Sequence, residues 1–127
     1  MTIAAAVIAE IEAHAREAAP EECCGLLLGA ADVVSSSVRA RNVADDRTRR
    51  YSVDPADHFS AVRHARMLGL DVIGAYHSHP ASAPIPSETD RAEAFEAFVF
   101  VIVGATETRA WRLSGGNFTE VPLVRLP

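Results

Sequence analysis

Cysteine is nearly missing: the 127 residues contain two, Cys23 and Cys24, side by side in an apolar run. Adjacent thiols have poor geometry for a bridge to each other and are typical of buried positions in a reducing compartment, so no disulfide framework is expected. Basic charge is also short, with 12 Lys and Arg against 17 Asp and Glu and a formal net charge of -5, which argues against a nucleic-acid partner. No apolar run approaches the roughly 20 residues that a membrane-spanning helix needs. The alanine-rich opening, MTIAAAVIAEIEAHAREAAP, lacks the basic start of a signal peptide and carries Glu10, Glu12 and Glu17. It reads as a helix of a mature cytoplasmic protein. Internal repeats, low-complexity stretches and linkers are absent, so residues 1–127 are expected to form a single domain, long enough to bury about two-thirds of its unfolded surface.

What is present alternates between the two periods. Ala4, Val7, Ile8, Ile11 and Ala15 fall at helical spacing, predicting a first helix from about Thr2 to Ala19 with Pro20 just beyond it. ECCGLLLG reads as a buried strand and DVVSSSVRARNV as its hairpin partner; DDRTRR is a charged loop and YSV a short extended piece. Asp54 and Pro55 open a second helix, with Phe59, Val62 and Arg66 marking its course to Gly69. DVIGAYHSH is the central strand, a short helix begins near Ser87, and AFVFVIVG, TRAWRLS and NFTEVPLVRL are three more strands, the last two joined at Gly115-Gly116. The fold class read from these periods is α+β.

The chemistry concentrates in GAYHSHPASAPIPSETD, Gly74 to Asp90. On a strand, residues i and i+2 point the same way, so Ile73, Ala75, His77 and His79 share one face and Val72, Gly74, Tyr76 and Ser78 the other. On a helix, residues i and i+3 are neighbours, so Ser87 and Asp90 share a face if a helix starts at Ser87. Two imidazole nitrogens and one carboxylate oxygen suit zinc with a fourth position open. Pro80, Pro84 and Pro86 stiffen the intervening loop and reduce the entropy lost in holding Asp90 near the histidines. Each pair also has an ordinary structural reading. Two histidines on a strand are commonly surface or satisfied core residues, and Ser87 with Asp90 matches a helix N-cap device worth on the order of 1 kcal/mol.

The combined pattern resembles the JAMM or MPN-plus zinc metallopeptidases of the small bacterial type. Their signature, His-x-His, seven residues, Ser, two residues, Asp, is matched by His77, His79, Ser87 and Asp90. The family's upstream glutamate lies three residues before a glycine in an apolar first strand, and PEECCGLLLG places Glu22 there. RNVADDRTRRYSVDPADHF is similar to the asparagine-loop-aromatic-Asp-Pro passage of the same members. The resemblance implies a mixed β-sheet flanked by helices in a cytidine deaminase-like fold, zinc held by His77, His79 and Asp90, and a coordinated water whose pKa falls from about 15.7 toward about 7. It also implies Glu22 as the group that moves protons and Ser87 as donor to the oxyanion. The implied substrates are ubiquitin-like sulfur-carrier proteins or their conjugates, cut after a Gly-Gly tail. Two other functions are weighed beside this one: a zinc hydrolase of small amides, and a non-catalytic MPN scaffold. Scaffold relatives characteristically lose motif residues, and none is missing here.

Other groups are set aside. Glu88 precedes Asp90 by two helical positions and is rotated from it by about 200°. Glu21 and Glu22 face opposite sides of their strand, and only the resemblance selects Glu22. His14, His58 and His64 read as surface or boundary residues. The neighbouring cysteines lack C-x-x-C spacing, and no P-C-x-x-C follows the histidines, which counts against a zinc deaminase. The arginines from Arg47 to Arg50 read as a solvated loop or a contact for an acidic protein. The stretch after Asp90 is short, predicting an active-site helix of about two turns. There is no room for the long insertions with which deubiquitinating relatives grip ubiquitin.

Overall fold

Strands β1 (Thr2–Ala4), β2 (Cys24–Ala30), β3 (Val33–Ala40), β4 (Asp71–Ser78), β5 (Val99–Val103), β6 (Thr108–Ser114), β7 (Asn117–Val121) and β8 (Val124–Leu126) form one sheet. Their order across it is β7-β6-β5-β4-β2-β3-β1-β8. Helices α1 (Ala5–Ala18), α2 (Pro55–Met67) and α3 (Glu88–Glu93) complete the fold of this computed structural model, which describes residues 1–95 and 97–127. Parallel pairing joins β4 to β5 and β1 to both β3 and β8, and the other neighbours are antiparallel. The architecture is the α+β class read from the periodicities, with the mixed sheet and flanking helices that the resemblance implies.

The two faces of the sheet carry separate apolar clusters. On one, Ile3, Ile8 and Ile11 pack with Leu27, Tyr76, Val99 and Val101; on the other, Ala61 packs with Cys24, Leu26, Tyr51, Ala75, Phe100 and Leu113. The Tyr76 ring lies over Gly25, where a Cβ would come within 2.2 Å of it. Its hydroxyl lies 2.7 Å from Nδ1 of His14, a half-buried boundary residue that reaches the core through this contact. Burial pushes the Tyr76 phenol up from its usual range, so the hydroxyl keeps its hydrogen.

Several sequence expectations need correction. The first helix starts at Ala5, because Thr2, Ile3 and Ala4 are drawn into edge pairing with β3 and β8. Alanine-rich propensity is a weak prior, and pairing that buries Ile3 overrides it. Helix α2 packs through Ala61 and Ala65, leaving Phe59 exposed, because small residues let the helix approach the sheet. In β4 the register slips by one residue opposite Leu27 and Leu28, so Ile73 joins the α1-side cluster and Val72 the α2-side cluster. The extra residue inverts the alternation below it while leaving Ala75 and His77 on their expected face. The final strand breaks at Pro122 and Leu123, and its halves pair at opposite edges of the sheet. The Asn117–Val121 half continues the β6 hairpin; the second half joins β1.

Candidate metal centre

β4 lies between β2 and β5, paired Cys24↔His77 on one side and His77↔Ile102 on the other. The ladder extends past the strand end, since the His79 N–H donates to the Val103 carbonyl at 2.8 Å. Both histidines are thereby fixed to a backbone paired on two sides. Helix α3 brings the third group. Ser87 caps it, accepting the Asp90 N–H on Oγ at 3.0 Å, while the Ser87 N–H donates to Asp90 Oδ2 at 2.9 Å. This reciprocal cap is the structural device anticipated from Ser87 and Asp90, and it also aims the carboxylate. The helix is six residues long, as short as expected.

The side chains converge. His77 Nε2 and His79 Nε2 are 3.2 Å apart, and each lies 3.0 Å from Asp90 Oδ2. One donor atom each from Glu22, His77, His79 and Asp90 falls within a group spanning 4.8 Å, and all four residues are buried. Glu22 precedes β2 instead of lying in it, so its backbone is held by the loop from Asn42 to Ser52. Its N–H donates to Arg47 O at 2.7 Å, and its carbonyl accepts from Asn42 Nδ2 at 3.0 Å. Glu21 points elsewhere, to an exposed ion pair with Arg47.

The chemistry of this donor set fits a zinc ion. His79 Nδ1 lies 2.8 Å from the Ala83 carbonyl, which only accepts, so in the neutral ring Nδ1 carries the hydrogen and Nε2 presents a lone pair to the cluster. Lone pairs on imidazole nitrogen facing a carboxylate oxygen at 3.0 Å repel unless a cation or shared proton lies among them. Glu22 Oε1 and His77 Nδ1 are buried without hydrogen-bond partners. Nitrogen and carboxylate ligands in this ratio are those of catalytic zinc sites, whereas calcium and magnesium prefer oxygen alone.

The electrostatics run the same way. Asp90 is held well below the usual carboxylate range: burial opposes its charge, but bonds from His77, His79 and the Ser87 amide outweigh that penalty. His77, fully enclosed, is lowered chiefly by desolvation. Partly buried His79 is raised, its burial outweighed by Asp90 and the Ala83 carbonyl. Burial pushes the Glu22 carboxyl up to about 7, with His79 opposing and Asp90 reinforcing the shift.

Residues 4–114 match the model of the prokaryotic homologs of the JAB domain. The chain belongs to this family. The Haloferax volcanii desampylase is 35% identical, covering 95% of this chain and 93% of its own. A probable TtuB-protein conjugate cleaving protease of Thermus thermophilus is 33% identical over 94% of this chain and 79% of its own. Among solved structures, protein DSY2949 from Desulfitobacterium hafniense superposes with a TM-score of 0.88 at 28% identity, covering 98% of this chain and 92% of that one. The small prokaryotic JAMM relationship and its fold, expected from the motif, are borne out.

Residues that sequence reasoning passed over complete the site. The Tyr51 ring stacks on His77 with centroids 4.2 Å apart at 18°. Ser78 Oγ accepts the Cys23 N–H at 2.9 Å, tying β4 to the segment that carries Glu22. Trp111 Nε1 donates to Pro84 O at 3.0 Å and pins the proline loop. Only Tyr51 and Asn42 had a signal, as the asparagine and aromatic of the loop passage. The arginines are paired within the protein, Arg49 to Asp46 and Arg50 to Asp45 inside the loop and Arg47 to Glu21 outside it. These exposed pairs favour the solvated reading of that loop. No helix among the described residues is long and apolar enough to cross a membrane.

Proposed function

We propose that this chain is a cytoplasmic zinc peptidase that hydrolyses the bond after the Gly-Gly tail of a ubiquitin-like sulfur-carrier protein, with residues 1–127 acting as one catalytic domain. The observation that carries the reading is the buried convergence of Glu22, His77, His79 and Asp90. In it, His77, His79 and Asp90 hold zinc. The bound ion supplies Lewis acidity that brings the pKa of a water from about 15.7 to about 7.

The chain's own residues do the rest. Glu22 has an unpartnered Oε1 in the cluster and a metal-free carboxyl near 7, so it takes the attacking water's proton and returns it to the leaving amine. An amine leaves poorly unless protonated. Ser87 uses an oxygen lone pair for its cap bond, which leaves the hydroxyl hydrogen to meet negative charge developing on the scissile carbonyl. Capping and catalysis are compatible roles for this serine.

The substrate class follows from access and relatives. The site closes the end of a central strand beside a stiff loop, so a scissile peptide approaches extended, and glycine has no side chain to obstruct it. Relatives named as a desampylase and a TtuB-protein conjugate cleaving protease, aligned over nearly the whole chain, support a protein-conjugate substrate. The insertions that grip ubiquitin are missing, so polyubiquitin is a poor substrate.

The test is mass spectrometry of a sulfur-carrier protein extended by a peptide, with Gly-Gly and Ala-Val tails compared in the presence of zinc. Cleavage after Gly-Gly alone is expected, and Glu22→Gln should keep zinc while losing about 100-fold or more in turnover. Equal cleavage of both tails removes the glycine argument. Turnover of small amides with intact fusions makes the protein an amide hydrolase, and efficient polyubiquitin cleavage overturns the substrate limit.

A further inference from the structure

Glu22 lies outside the strand ladder, yet its carboxylate must sit within a few tenths of an ångström of its working place. Its buried Oε1 has no hydrogen-bond partner among the described residues, so no bond at that atom orients the side chain. Orientation therefore comes through the backbone, and both backbone bonds run to the 42–52 loop.

Asn42 is the hub of that loop. Its Nδ2 donates to Glu22 O at 3.0 Å and to Arg50 O at 3.1 Å; its Oδ1 accepts from Ala44 N and Ser52 N, each at 3.0 Å. All four hydrogen-bonding positions of the amide are used, and the two carbonyls opposite one end and two N–H groups opposite the other fix which way it points. Arg50 and Ser52 flank Tyr51, whose ring stacks on His77. One side chain thus grips the backbone of Glu22 and, on either side, the residue that braces His77.

The geometry points to Asn42 as the positioning residue that sets Glu22 and Tyr51 in mutual register across the zinc site, an inference that rests on Glu22 as the proton carrier. Asparagine is needed because no other side chain of this length offers two donors and two acceptors. An aspartate keeps the acceptor bonds but turns an oxygen toward the Glu22 and Arg50 carbonyls, which it repels.

The experiment is a double-mutant cycle on the zinc-loaded enzyme with the Gly-Gly fusion as substrate, using Asn42→Asp, Glu22→Gln and the pair. Asn42→Asp is expected to keep one zinc per chain and a KM within about 2-fold, and to lower kcat about 10-fold or more. In the Glu22→Gln background it should lower kcat no further, because the group it positions is gone. An equal loss in both backgrounds overturns the inference, whereas a Glu22→Gln enzyme as active as wild type overturns the underlying reading of Glu22. If Asn42→Asp does not fold with zinc, Asn42→Ala takes its place in the cycle. A readout without turnover is NMR of the metal-free protein. Asn42→Asp should speed amide exchange at Glu22, whose carbonyl loses its donor, and weaken the ring contacts between Tyr51 and His77, and unchanged exchange and contacts also overturn the inference.

Discussion

The Tyr51 ring lies face to face with the imidazole of His77, centroid to centroid at 4.2 Å. Metal-bound histidines usually donate their second nitrogen to a carboxylate or carbonyl, but His77 Nδ1 is buried without such a partner. Packing has replaced the hydrogen bond. Tyr51→Leu should therefore weaken zinc binding about 10-fold in competition with a chelator, the size of effect seen when outer partners are lost. Tyr51→Phe keeps the stacked face and should stay within about 2-fold of wild type, which separates stacking from any role of the hydroxyl.

Removing a ligand should cost the metal without costing the fold. The apolar clusters on the two faces of the sheet include none of Glu22, His77, His79 and Asp90. His77→Ala is expected to abolish stoichiometric zinc while leaving far-ultraviolet circular dichroism unchanged. Full zinc content in a His77→Ala/Asp90→Ala double variant would place the metal elsewhere.

The metal-free protein should show an acid-favoured stability component from Glu22. Burial raises its folded carboxyl from 4.5 to about 7, so the folded state binds more protons than the unfolded state between those values. The contribution is full below pH 4.5 and is lost as pH rises through 7. Metal-free Glu22→Gln should accordingly gain stability relative to wild type from pH 4.5 to 7 in urea titrations, and the gap should narrow once zinc supplies a compensating charge. A gap that does not change with pH contradicts the account.

A methyl group placed at Gly104 should disturb the zinc site from a distance. Its Cβ would meet Pro84 Cδ at 2.5 Å and the Pro84 nitrogen at 2.8 Å. Pro84 is fixed on its other side by Trp111, and the preceding carbonyl, of Ala83, sets the tautomer of His79. Gly104→Ala should shift the emission of the sole tryptophan and reduce zinc affinity about 10-fold. Normal affinity with shifted emission would show that the loop moves independently of His79.

The pairing of His77 with His79, and of Ser87 with Asp90, was legible because two short periodicities suffice for each. A strand spacing puts His77 and His79 together, and a helix-start spacing puts Ser87 beside Asp90. Glu22 came only with the family resemblance, since alternation could not choose between it and Glu21, and the loop that turns it inward obeys no period. Asn42 and Tyr51 escaped a functional reading for the same reason: their placement depends on how residues 41–53 fold back over the sheet. The inverted faces at Val72 and Ile73 were hidden because a single-residue slip leaves no mark on composition. Phe59 misled because hydrophobicity at helical spacing does not reveal whether small neighbours, here Ala61 and Ala65, bring the helix closer on a different face.

The parallel pairing of β4 with β5 makes the catalytic segment a place where the protein can be rebuilt. A parallel pair requires a crossover of about a dozen residues or more, and this one runs from His79 to Phe98, carrying the proline loop, Ser87 and α3. The ladder that holds His77, from Gly74↔Val99 to Ser78↔Val103, joins the two strands on either side of the crossover and uses none of the crossover's own residues. Doubling the length of such a loop adds only about 0.6 kcal/mol of closure entropy. Segments inserted after α3 can therefore raise one wall of the cleft while His77, His79 and Asp90 keep their places. Within this architecture, substrate range and metal chemistry can be engineered as separate modules.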